Sequence, residues 1–192
     1  FTSFVLFPVM IGLAAIGEPL FHTMFGHKWD AAIILFQILV IRGVFVVLVS
    51  LYGNYMLAKG YGKRLFIIEV VKDSAIAVAI MATIFFKSID ILVWGQLWAS
   101  LVTYVIIVVM VGRAIGYGVI NMITDMMPYA FSAAVMWLTC SLVEMIPLGA
   151  PLRLLLMVIV GGMTYVGIMW IGGYPELKEA SGYLFGKFRR KN

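Results

Sequence analysis

Apolar residues run along this chain in long blocks, and the breaks between them are short, polar and rich in glycine or proline. A helix of about 20 apolar residues crosses the hydrocarbon core of a bilayer. Six blocks meet that length within a few residues: 1–21, 31–57, 65–86, 91–112, 128–147 and 152–173. The breaks carry the chemistry of chain reversals. Gly26-His27-Lys28-Trp29-Asp30 reads as an elbow, Lys59-Gly60-Tyr61-Gly62-Lys63-Arg64 as a basic turn, and Lys87-Ser88-Ile89-Asp90 as a tight turn. Pro147-Leu148-Gly149-Ala150-Pro151 suits only a hairpin connection. The pattern predicts an all-α, polytopic transmembrane bundle of six spans.

Two segments are amphipathic instead of spanning. In 119–127, Asn121, Thr124 and Asp125 share one face, and Val119, Ile120, Met122, Ile123, Met126 and Met127 cover the others. Near the end, Leu177, Ala180, Ser181, Leu184 and Phe188 recur at helical spacing among Glu176, Lys178, Glu179, Lys187, Arg189 and Arg190. Both read as helices lying in the membrane interface. The expected organisation is four spans over 1–113, an interfacial helix over 114–127, a two-span hairpin over 128–173 and a basic cytoplasmic tail over 174–192.

Composition agrees. Of 192 residues, 64% are hydrophobic and 12% charged, against roughly 25% charged in a soluble domain. The net charge of +5 does not point to nucleic acid, because the basic residues gather at helix ends. The first block has no basic leader and no small-residue cleavage site, so it is not a signal peptide. With Phe1 in place of an initiator Met, residue 1 is expected to be internal to a longer protein whose preceding part would be a structural partner. A single cysteine, Cys140, allows no internal disulfide.

Loop charge sets the expected orientation. Lys59, Lys63, Arg64, Arg113, Lys178, Lys187, Arg189, Arg190 and Lys191 fall on one side, against Lys28, Lys87 and Arg153 on the other. The excess puts both ends in the cytoplasm and the Gly26–Asp30 elbow on the outer face. Phe21, Phe25 and Trp29, and Tyr52, Tyr55, Tyr61 and Tyr174, mark the two edges.

The residue that demands an explanation is Arg42, near the middle of the second block. A cation at that depth is costly unless it is paired or functional. At 100° per residue, Arg42, Gly43, Ser50, Gly53 and Asn54 share a sector interrupted by Leu39 and Val46, with Gln37 opposite. Glu69, Lys72, Asp73 and Thr83 share a sector of the third block, and Gln96, Ser100 and Thr103 one of the fourth. Three consecutive polar stripes suit helices that face one another or water. Arg42, Ser50, Asn54, Gln96 and Ser100 are the candidate substrate contacts. Glu69, Lys72 and Asp73, close to a membrane edge, form a charged group that is structural or involved in ion coupling, and either carboxylate, or one in the preceding part of the protein, is a candidate partner for Arg42.

Nothing points to catalysis. His22 and His27 are five residues apart, off one helical face, and no cysteine or carboxylate cluster completes a metal site. Cys140 has no neighbouring histidine. Glu144 reads as a snorkelling residue at a helix end. No phosphate-cradling loop of the G-x-x-x-x-G-K type is present. No cofactor, no metal and no enzyme activity is expected.

Pro8, Gly12-Leu13-Ala14-Ala15, Glu18-Pro19-Leu20, Phe25-Gly26-x-Lys28-Trp29, Ala31-Ala32 and Leu39, followed by Ala58-Lys59-Gly60, resemble polysaccharide flippases of the multidrug/oligosaccharidyl-lipid/polysaccharide superfamily. Asp125-Met126-Met127-Pro128, the Pro147–Pro151 hairpin and Tyr165 extend the resemblance to nearly the whole chain. The resemblance implies the last six helices of a fourteen-helix, two-lobe transporter in the bacterial inner membrane. Such a transporter flips an undecaprenyl-pyrophosphate-linked oligosaccharide, of lipopolysaccharide, O-antigen or capsule type, by alternating access through a cationic cavity. Arg42 fits that cavity by residue type and depth. Two other readings are a cation or drug antiporter of the same superfamily, which needs membrane carboxylates, and a non-transporting membrane scaffold for glycan assembly.

Overall fold

The computed structural model describes residues 2–116, 118–174 and 176, and every regular element among them is helical. In chain order these are α1 (Thr2–Ala15), α2 (Gly17–Met24), a 3-10 turn (His27–Trp29), α3 (Asp30–Ala58), α4 (Gly62–Phe86), α5 (Ile89–Ile115), α6 (Val119–Glu144) and α7 (Ala150–Ile171). Apart from Tyr174 and Glu176, the cytoplasmic tail expected over 174–192 lies outside the described residues.

Four of these helices, counting the 3-10 turn with α3, are long and apolar enough to cross a membrane, and a fifth span results if α1 and α2 are taken together. The chain is therefore a multi-pass α-helical membrane protein. The expected count of six is not reached on apolarity because α4, though 25 residues long, carries Glu69, Lys72 and Asp73 within its helix.

The first block also differs from expectation. It is not one helix but two, bent by 58° at Ile16. Pro19 explains the break, since it has no N–H to give the carbonyl of Ala15 four residues back. The neighbouring carbonyl of Ala14 is taken by Gln37 of α3, whose Nε2 donates to it at 3.0 Å.

The boundary expected between an interfacial helix ending at 127 and a span beginning at 128 is absent. Residues 119–127 are the first turns of α6, which continues through Pro128. A proline deprives a helix of one backbone hydrogen bond but does not oblige it to end, and membrane helices tolerate that loss.

Two groups of helices make up the bundle. In the first, α1 lies parallel to α6, and α7 returns antiparallel to α6. Their core holds Ala15, Tyr129, Ala133, Met136, Cys140, Met157, Tyr165 and Met169. In the second, α3 and α5 run parallel and α4 returns between their ends, around Val49, Met56, Ile107, Val108 and Val111. Leu6 of α1 against Val44 and Leu48 of α3 joins the groups. Backbones approach closely where side chains are small, as in other membrane bundles. A Cβ on Gly95 of α5 would lie 2.7 Å from the Cβ of Ala79 on α4, and one on Gly161 of α7 would lie 2.9 Å from Cys140 Sγ on α6. Large apolar side chains cover the outside, among them Phe66, Met81, Ile84 and Phe85 of α4, which suits a lipid or protein environment in place of water.

Candidate functional site

The parallel packing of α3 on α5 decides where Arg42 points. Its Nε donates to Ser100 Oγ at 3.1 Å. Arg42 is half-buried, whereas Ser100 is 2% exposed. Among the described residues no carboxylate lies within 4.0 Å of the guanidinium. Neither Glu69 nor Asp73 supplies the counter-charge. Their positions on α4 engage Lys72 instead, which donates to Glu69 Oε2 and lies 3.8 Å from Asp73 Oδ1. The charged group expected near the membrane edge thus forms a local ion pair at helical spacing.

Among the described residues, Arg42 consequently has one hydrogen-bond partner, and it is neutral. The terminal guanidinium nitrogens make no hydrogen bond to a described residue. A guanidinium presents several donors in a planar fork that matches carboxylate or phosphate oxygens. Nε anchored on Ser100 leaves the outer edge of that fork for an anion. Beside it on α3, Ile41, Val44 and Phe45 line an apolar cavity shared with Phe7 and Ile11 of α1, Tyr104 of α5, and Ile123, Met126 and Ala130 of α6.

The remaining members of the polar stripes do not gather around this arginine. Gly43 faces the sulfur of Met10 on α1, and Gly53 is packed under Leu65 and Ile107. Ser50 and Asn54, two and three turns further along α3, are exposed, and the Ser50 hydroxyl is spent on its own helix at Val46 O. On α5, Thr103 donates to Ala99 O, while Gln96 sits half-buried one turn before Ser100. Of the three stripes read from the sequence, only Arg42 and Ser100 meet.

A second polar site escaped the sequence reading. Ser3 of α1, Tyr52 of α3, Thr124, Asp125 and Tyr129 of α6, and Tyr174 and Glu176 beyond α7 line an open cleft of about 560 Å³. Tyr129 donates its hydroxyl to Glu176 Oε1 at 2.6 Å. That hydrogen bond holds the Glu176 carboxyl below the usual carboxylate range. The signal present in the sequence was Asp125 with Thr124 on one face of 119–127, which reads equally well as the wet face of an interfacial helix.

A third polar group forms at the elbow. The sequence spacing of His22 and His27 argues against a shared face, yet Gly26, at φ 71°, turns the chain so that the two rings sit 4.2 Å apart. Asp30, the first residue of α3, joins them, with Oδ1 at 2.9 Å from His22 Nε2 and Oδ2 at 3.6 Å from His27 Nδ1. The tertiary structure thus brings together two histidines that the sequence spacing separates, with a carboxylate beside them.

No family model matches the chain, and no solved structure does. It is similar to the teichuronic acid biosynthesis protein TuaB of Bacillus subtilis (strain 168), at 25% identity over 186 residues, which cover 92% of this chain and 37% of that protein. The chain thus spans little more than a third of the length of the curated relative it matches.

Proposed function

We propose that this chain is the closing part of an exporter of polysaccharide precursors, which flips a lipid-pyrophosphate-linked oligosaccharide across the bacterial inner membrane by alternating access. In this reading α4 completes a set of six passes, the chain ends face the cytoplasm, and the preceding eight passes belong to the same protein. Its function is transport without catalysis, and its partners are membrane lipid and the lipid-linked glycan.

The observation that carries the reading is Arg42. It is a half-buried cation in a 29-residue apolar helix, positioned by a neutral hydroxyl and without a carboxylate partner among the described residues. Keeping a cation uncompensated at that depth is unfavourable unless an anion visits it. A pyrophosphate offers the oxygens that the guanidinium fork fits. The apolar cavity lined by the α3 neighbours of Arg42, Ile41 and Val44, suits the hydrocarbon of a lipid carrier. Likeness to a teichuronic acid biosynthesis protein supports a glycan as cargo. The antiporter reading is weakened by the same geometry, because Glu69 and Asp73 already engage Lys72.

Replacing Arg42 with Ala in the full-length protein and measuring surface polysaccharide tests this. The expected result is a loss of about 10-fold or more, the scale of a charge-assisted hydrogen bond, with normal protein level in the membrane. Unchanged export at that level overturns the role of Arg42.

A further inference from the structure

We infer that the elbow between α2 and α3 is a binding site for a divalent transition-metal ion of the zinc type, held by His22, His27 and Asp30. Ligand atoms of these three residues all lie within 4.8 Å of one another. They come from three consecutive elements: the last turns of α2, the 3-10 turn and the first residue of α3. Two imidazoles and one carboxylate are a donor set that zinc accepts, with a further position left for water. Calcium and magnesium prefer oxygen alone.

One donor atom from each residue lies within 4.8 Å of the others, and closing on an ion draws them together. Neighbouring ligand atoms about 3.3 Å apart follow from metal–ligand bonds of 2.0–2.1 Å in a tetrahedron. Here Asp30 Oδ1 is 2.9 Å from His22 Nε2, while its other oxygen, Oδ2, is the one 3.6 Å from His27 Nδ1, so the carboxylate must turn for one oxygen to face both rings. Without metal, His22 Nε2 donates its proton to Asp30 Oδ1. Metal binding at Nε2 moves that proton to Nδ1, which faces Glu18 Oε1 at 4.0 Å, one helical turn back. Glu18 would then orient the ring from behind, as carboxylates do for metal-bound histidines. His22 is mostly covered, with 16% of its side chain exposed, whereas His27 is 81% exposed. A preset inner ligand and an open outer one give a route for ion entry. A bound ion ties α2 to the start of α3, just beyond the break that Gln37 braces.

The test is titration of the purified full-length protein in detergent with zinc chloride by calorimetry, paired with thermal unfolding. The expected result is one ion per chain that raises the melting temperature, and no heat from calcium chloride. His27→Ala removes an exposed ligand without touching the His22–Asp30 bond, so the fold is retained. It and Asp30→Asn are each expected to weaken binding by at least about 100-fold, and Glu18→Gln by about 10-fold. No zinc uptake at about 1 mM, or uptake and thermal stabilisation that survive both His27→Ala and Asp30→Asn, overturns the site.

Discussion

The hydroxyl of Tyr165 donates to the backbone carbonyl of Phe4 at 2.8 Å, across 161 residues of sequence. Phe4 lies four residues before Pro8, the position whose N–H would serve that carbonyl in an unbroken helix. A side chain on α7 thereby replaces a hydrogen bond that α1 cannot make for itself. Tyr165 is 3% exposed, so its hydroxyl has little recourse to water. Tyr165→Phe is expected to cost about 1 kcal/mol, as measured by unfolding in detergent. Combined with Pro8→Ala, which restores the helical donor, the same substitution should cost less. Strictly additive losses would count against this coupling.

Ser100 is the only described hydrogen-bond partner of Arg42. If its role is to aim the guanidinium, Ser100→Ala lowers surface polysaccharide by less than Arg42→Ala does, and Arg42→Ala in the Ser100→Ala background adds less than it does alone. Export assays on the two single variants and the double variant decide this. Equal effects of Ser100→Ala and Arg42→Ala would point to a packing role for both.

The exposed and buried sides of α3 provide a test of hydration. In a Cys140→Ala background, cysteines at Ser50 and Asn54 should react with a membrane-impermeant maleimide, while those at Val44 and Leu48, which are 5% and 2% exposed, should not. Uniformly unreactive positions would favour a packed scaffold over a transport cavity.

Glu176 gives a pH dependence of known sign. Its carboxyl titrates below the usual range because it accepts the Tyr129 hydrogen bond. The stabilisation is fully present above the unfolded carboxylate value of about 4.3 and is lost as pH falls through the lowered value. The difference in thermal stability between the wild type and Tyr129→Phe should be largest above about pH 4.3 and shrink progressively as pH falls below it.

Close approach of α6 and α7 at Gly161 leaves no room for a larger side chain. Gly161→Val is expected to destabilise by about 1–3 kcal/mol through overpacking against Cys140 and Met136, read by the same unfolding assay. Gly162→Val, where a Cβ meets open space, serves as the control.

Much of the helix pattern was legible in the sequence. The runs 31–57, 91–112 and 152–173 predict α3, α5 and α7 to within a few residues, because apolar length and glycine or proline at the breaks are local properties. The break at Ile16 was not legible. Pro19 was visible, but a proline only weakens a helix, and whether the chain bends there depends on the space left beside α3 and on Gln37 reaching Ala14 O. Pro128 shows the opposite outcome with the same residue type, since α6 runs through it.

Composition and hydropathy by themselves determined that this is a helical membrane protein, where most of its turns fall, and that Arg42 is out of place in its helix. Only the tertiary structure decided that Arg42 rests on Ser100, that Glu69 and Asp73 engage Lys72 and not Arg42, and that His22, His27 and Asp30 converge. The physical reason is that burial in a bilayer is read one residue at a time. A hydrogen bond or ligand set between helices depends on the azimuth and depth of both partners, which are set by packing against neighbours that no single helix encodes.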